Sequence, residues 1–217
     1  MMKSNFLFTD EEKRQIKEAV ASAESRTSGE IVPYFVQQSD NYEVAPLRGA
    51  LIFIVGALFT SGMLSYTWAL PFPITILEII FFTLAMGVIG FILARYIPTL
   101  TRILTPAELM RQSVVQKALN AFLEEEVFNT ENRTGILIFV SHLEHMVEVI
   151  GDSGINASVK PEEWESVVRL IIKGIRAGKP AEGLLEGVHL CGKLLERSGI
   201  NKPPQNPNEL SDDVRLG

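Results

Sequence analysis

Two long apolar stretches interrupt a chain that otherwise shows amphipathic helical and strand-like patterns. From Gly49 to Leu70 there is no Asp, Glu, Lys or Arg, and from Ile74 to Ala94 the one charge is Glu78. Each stretch has the length needed to cross roughly 30 Å of hydrocarbon, which predicts transmembrane helices over about 49–70 and 74–95. The alternative is a pair of buried core helices, but the rest of the chain is too small to wrap two helices that are apolar all round. Pro71-Phe72-Pro73 leaves room only for a tight turn, so the pattern predicts an antiparallel hairpin within 47–97.

Tyr66, Trp68 and Tyr96 fall where amphipathic rings favour the membrane interface, and Glu78 is close enough to the turn to reach headgroups. Gly56, Ser61 and Gly62 in the first stretch and Ala85, Gly87 and Gly90 in the second would let the two backbones approach. Arg48, Arg95, Arg102 and Arg111 flank the open end while the turn carries no basic residue, which predicts a cytoplasmic open end. The N-terminus is amphipathic rather than signal-like, so both flanks are expected to stay inside. The single cysteine, Cys191, agrees with a reducing compartment. These features together predict a multi-pass protein of the bacterial inner (cytoplasmic) membrane.

The flanks read as an α/β domain. Thr9 and Glu12 form a capping box before a helix with Ile16, Ala19, Val20 and Ala23 on one face, running to about Ser25. A strand follows over 31–36, with Pro33 suggesting an edge position or a strand start. Thr105-Pro106 opens a helix that carries Val114, Ala118, Leu119 and Phe122 and ends near Asn129. Strands over 135–141 and 146–151, joined by His142-Leu143-Glu144-His145, should form an antiparallel hairpin. Helices opening at Pro161 and about Ala181 complete the domain, and the tail is expected to be disordered. The divisions are 1–46 and 98–200 for the two parts of the domain, 47–97 for the hairpin and 201–217 for the tail. Strands one and two should be parallel, with the hairpin interrupting their crossover. Arg26-Thr27-Ser28-Gly29 and Arg133-Thr134-Gly135 repeat one helix-to-strand junction, in which glycine suits a left-handed turn.

The segments RTSGEIVPYFV and RTGILIFVSHLEHMVEVIGDSGI, with the later Trp164, resemble the TPM domain. That family includes thylakoid-lumen acid phosphatases, photosystem II repair factors and an auxiliary protein of acetylcholine receptors. The resemblance covers nearly the whole chain, and is closest to bacterial membrane members in which two spans split the domain. It implies a mixed α/β sheet flanked by helices, phosphatase activity as in plant relatives, and calcium or other divalent ions held by acidic residues near strand ends. The chain keeps Asp152 of the Asp-x-Gly-Ile motif, but has His-Leu-Glu-His where acidic and basic residues often fill the turn.

Asp152 is a hard-cation ligand, for calcium or magnesium, or it caps its own Gly-rich turn, or it pairs with Arg26 or Arg133. His142, Glu144 and His145, with Asp40, supply enough ligands for zinc, manganese or iron, whereas a solvated turn explains the same residues. If the chain is an enzyme, Asp152 and Asp40 are the candidate catalytic carboxylates and Arg26 and Arg133 the candidate phosphate forks. No phosphate-binding glycine loop, nucleophile elbow or Cys-x-x-Cys occurs. With 26 acidic against 20 basic residues and no basic stripe, a nucleic-acid partner is not expected. The reading ranked first is a non-catalytic accessory module, anchored in the bilayer, for assembly, repair or quality control of membrane complexes. Its expected partner is a membrane protein or a second copy, and a divalent-dependent acid phosphatase is the alternative.

Overall fold

A computed structural model describes residues 8–67, 75–200 and 209–217. The chain divides into two compact units, one of residues 1–39 and 111–217 and the other of residues 40–110.

The first unit is a mixed α/β fold. Helix α1 (Asp10–Glu24) starts at the expected capping box: Thr9 Oγ1 accepts from the Glu12 amide at 3.2 Å, and the Thr9 amide donates to Glu12 Oε2 at 2.6 Å. Strands β1 (Glu30–Val36) and β2 (Gly135–Ser141) pair in parallel, with Glu30 opposite Gly135 and Val36 opposite Ser141. Strand β3 (Met146–Gly151) returns antiparallel to β2, as the pattern predicted. Because side chains alternate, Ile31, Phe35, Ile136 and Ile138 face a large core shared with α1, α7 (Glu165–Arg176) and α8 (Pro180–Arg197). Val32, Val36, Leu137 and Phe139 face a smaller core with Val114, Ala118 and Ala121 of α5 (Ala107–Glu124). Both faces of β1 and β2 are thus covered, which is why they read as nearly unbroken apolar runs.

Several elements differ from expectation. Helix α5 stops at Glu124 rather than near Asn129, with Glu126 in a left-handed conformation just beyond it. Pro161–Trp164 is a 3₁₀ turn leading into α7, and a short helix α6 (Ser153–Asn156) follows Asp152. Within the tail predicted to be disordered, residues 209–217 pack on the sheet: Arg215–Leu216 forms β4, parallel to β1, in the order β3-β2-β1-β4. The reason is local. Val214 and Leu216 reach the larger core and Leu210 the smaller one, so this polar-looking tail carries enough spaced apolar residues to dock. The remainder of the tail, 201–208, lies outside the described residues.

Pro33 sits in mid-strand without cost. The Glu30 amide donates to Thr134 O and Val36 O accepts from the His142 amide, so the even positions of β1 serve β2 and the odd ones face the other edge. There the Ile31 amide donates to Glu24 Oε1 at 2.7 Å and Phe35 O accepts from the Gly217 amide at 3.1 Å. Between them Pro33 offers no donor that would need a partner.

The second unit contains α2 (Val44–Thr67), α3 (Ile76–Tyr96) and the short α4 (Pro98–Leu104). Both α2 and α3 are long and apolar enough to cross a membrane. They pack antiparallel through small residues: a Cβ built on Gly49 would lie 2.5 Å from Ala94 Cβ, one on Gly90 would meet Phe53 at 2.8 Å, and one on Gly87 would meet Ile54 at 2.9 Å. The contact stripe therefore includes Gly49 and Ala94, and Gly56 and Gly62 lie off it, with nothing within 4 Å of an added Cβ. Glu78 has a local task, since its amide and carboxylate complete a capping box with Thr75 at the start of α3. The expected turn over 71–73 and the rings of Tyr66 and Trp68 lie outside the described residues.

The repeated glycine junction has a different basis from the one expected. Neither Gly29 nor Gly135 is left-handed; Arg133 is, with φ of 55°. Gly135 is required by close approach, since an added Cβ would fall 1.8 Å from Val127 O. Gly135→Ala is therefore expected to lower stability by about 3 kcal/mol or more, as for other forced steric changes, in denaturant unfolding of the purified protein.

Candidate functional site

Two clusters of polar residues lie at opposite ends of the β1–β2 pair. At the end where these strands begin, Thr134 Oγ1 donates to Ser28 O at 2.6 Å and its amide donates to Thr130 Oγ1 at 2.9 Å, locking the two junctions together. Asp152 leaves β3 here and caps α6, its Oδ1 accepting from the Ser153 amide at 2.6 Å. Arg133 Nε forms an ion pair with Asp152 Oδ2 at 2.9 Å. The same guanidinium donates to Phe128 O and lies over the Phe128 ring. Arg26 is turned toward α8, where its Nε meets Glu196 at 2.7 Å. Each arginine is thus committed to a different partner, and the two do not converge on Asp152 as a phosphate fork.

At the other end, the turn after β2 wraps around Glu144, which is 2% exposed. Its carboxylate accepts from the Ser39 amide at 2.8 Å and from the Ser141 hydroxyl, while Ser39 and Ser141 hydroxyls lie 2.9 Å apart. Glu144 thus ties the end of β1 to the end of β2. The rings of His142 and His145 are 6.2 Å apart, and His142 Nδ1 is buried with no partner among the described residues. Burial holds His142 below its usual pKa, against the opposing pull of Glu144. Asp40 belongs to the other unit, where its carboxylate accepts from the Asn41 amide. Among the described residues no group of three or more His, Cys, Asp or Glu is placed to hold a metal ion. The physical reason at this turn is that its one carboxylate is consumed by backbone and serine donors.

An open groove beside the edge strand β3 is lined by Val147, Val149, Pro161, Trp164 and Val168 together with the charged Glu148, Glu165 and Arg169. Of its charged residues, Arg169 is paired with Glu165 at 3.1 Å.

Sequence reasoning missed a third cluster. Glu24, 6% exposed, and Glu30, 2% exposed, are buried side by side under the tail residues Glu209, Leu210 and Asp212. Burial pushes the Glu24 carboxyl up to about 8; the Ile31 amide opposes this, and the negative charges of Glu30 and Asp212 reinforce it. Burial likewise raises Glu30, against the amides of Leu210 and Glu209. The signal was present, because Glu24 continues the apolar stripe of α1 one turn beyond Val20. Cys191 lies in the same core, where burial pushes its thiol up to about 12, so it is no nucleophile at neutral pH.

No protein-family model matches the chain, and no curated protein matches it. A solved structure does: the NMR structure of BA42 protein from the psychrophilic bacterium Bizionia argentinensis, with a TM-score of 0.60 and 19% sequence identity, covering 100% of each chain. At that identity the likeness is one of fold.

Two outcomes are expected. Glu144→Ala should cost about 2 to 3 kcal/mol, the penalty for leaving buried donors unpaired, in chemical denaturation. In an NMR titration His142 should take up its proton below the ordinary value of 6.5. Its contribution to stability is therefore complete above that pH and is lost as pH falls through the lowered value.

Proposed function

We propose that the chain is a membrane-anchored TPM-domain protein. In this reading α2 and α3 form a hairpin through the bacterial cytoplasmic membrane and the α/β unit is cytoplasmic, serving as an accessory module for assembly, repair or quality control of membrane complexes. The observation that carries it is the outward face of the two helices: Phe59 is 73% and Phe81 65% exposed, and only 17% and 11% of the two apolar windows is buried. Core helices of a soluble protein bury such side chains, and a continuous exposed apolar surface marks a membrane or partner contact. The order of motifs from RTSGEIVPYFV to Trp164 supports the family assignment, and the mixed parallel and antiparallel sheet agrees with it.

The non-catalytic reading is favoured by how the candidate catalytic groups are spent. Arg26 is paired with Glu196, Arg133 with Asp152, and Asp152 caps a helix. Such pairings are those of a structural joint.

Affinity purification of the tagged chain in mild detergent, followed by mass spectrometry, is expected to recover a membrane protein or a second copy at near-stoichiometric yield. A folded, solitary monomer that hydrolyses phosphate esters with a divalent ion, and loses that activity in Asp152→Asn, would replace this reading with the acid phosphatase.

A further inference from the structure

We propose that the outer edge of β3 and the groove beside it form a strand-addition site, which takes an extended segment of a partner protein with a Lys or Arg between apolar residues. The direction of the β3 backbone is the starting point. The Asp152 amide donates to Gly135 O at 2.9 Å, and the antiparallel register sets Gly151 opposite Ile136 and Met146 opposite Ser141. Glu148, Ile150 and Asp152 therefore turn their N–H and C=O toward β2, while Val147, Val149 and Gly151 turn theirs away from it. Strand β3 ends the order β3-β2-β1-β4, so among the described residues no strand meets that side.

This outer edge is closed at one end and open along its middle. Gly151 O accepts from Asn156 Nδ2 at 2.7 Å, which covers the end nearest α6. The outward N–H and C=O of Val147 and Val149 make no hydrogen bond among the described residues. They form a row of donors and acceptors at the spacing an added strand uses. Val147-Glu148-Val149 contains neither proline nor lysine, two of the devices that blunt a sheet edge.

The side chains supply the rest of the site. Val147 and Val149 lie on the sheet face that carries α7, where they line a groove of about 410 Å³ with Pro161, Trp164 and Val168. Alternate side chains of an added strand enter that groove, and those between them fall on the other face, beside the Glu148 side chain.

Charge selects the occupant. Glu165 and Arg169 answer each other, which leaves Glu148 as the remaining charge of the groove lining. Burial raises its carboxyl against the pull of Arg111 on α5, so a further cation beside it is favoured. Across a strand pair opposite charges stabilise and like charges destabilise. A second copy is disfavoured on that ground, because the two-fold register that uses both valines sets the two Glu148 side chains against each other. The segment that fits has Lys or Arg opposite Glu148 and apolar side chains on either side of it. The proposal deepens the accessory-module reading and rests on it for the existence of a partner, but the surface is testable without one.

The probe is the blocked heptapeptide Ser-Thr-Val-Lys-Val-Thr-Ser, which reads the same in both directions, titrated onto the full-length protein in nanodiscs. Binding is expected to slow hydrogen exchange at the Val147 and Val149 amides. Replacing the peptide lysine by glutamate should weaken binding by about fivefold or more, and Glu148→Lys should reverse that preference. N-methylation of both peptide valines abolishes binding of an antiparallel strand, and N-methylation of the lysine that of a parallel one, so one modification should be fatal and the other tolerated. These changes lie in the peptide and leave the protein's folding untouched. Unchanged exchange at the two amides, equal binding of the glutamate peptide, a preference that Glu148→Lys leaves as it was, or binding that survives both N-methylations overturns the proposal. So does protection of both amides in a dimeric sample without peptide, which would give the edge to a second copy. Failure here with a membrane partner still recovered by affinity purification strikes the groove alone, whereas peptide binding with no partner recovered strikes the accessory reading.

Discussion

The parallel pairing of β1 with β2 is the constraint on which the rest of the fold depends. The two strands are separated in sequence by the whole apolar insertion, yet they align from Glu30 opposite Gly135 to Val36 opposite Ser141. Buried on both faces, they require a helical layer on each side, which α1, α7 and α8 supply to one face and α5 to the other. The strand ends then need polar fasteners, and the residues that first look like chemistry meet that need. Thr134 bonds the two junctions at one end and Glu144 the two exits at the other.

Much of this was legible because it rests on local rules. The Thr9 and Glu12 capping box, the apolar stripe of α1, the strand pair around His142-Leu143-Glu144-His145 and the two long apolar stretches each follow from patterns local in the sequence. What escaped depends on contacts distant in sequence. The tail looked disordered because its apolar residues Leu210, Val214 and Leu216 are spread among polar ones, and only the edge of β1 reveals what they dock against. The glycine stripe between α2 and α3 was located only in part, since which positions face each other depends on the helical phase that packing selects.

The candidate site shows the same division. Residue types near Asp152 and the His142 turn suggested cations and phosphate, but type alone does not say where a side chain is already committed. Arg133 is taken by Asp152 and Phe128, Arg26 by Glu196, and Glu144 by Ser39 and Ser141. The most unusual electrostatics lie instead at Glu24 and Glu30, two buried carboxyls beneath a short added strand. Charge buried in that manner is costly without a proton or a partner, so this sheet edge is sensitive to its surroundings.

The central claim is that α2 and α3 cross a membrane while the α/β unit stays on the cytoplasmic side. Single cysteines introduced as Phe72→Cys and Asn129→Cys, in a background in which Cys191 is replaced by alanine, would report it through a membrane-impermeant maleimide applied to cells with a permeabilised outer envelope. The account predicts labelling at 72 without disrupting the inner membrane, and at 129 only after that membrane is opened. Labelling at both positions only after lysis, with the protein recovered in the soluble fraction, would contradict it.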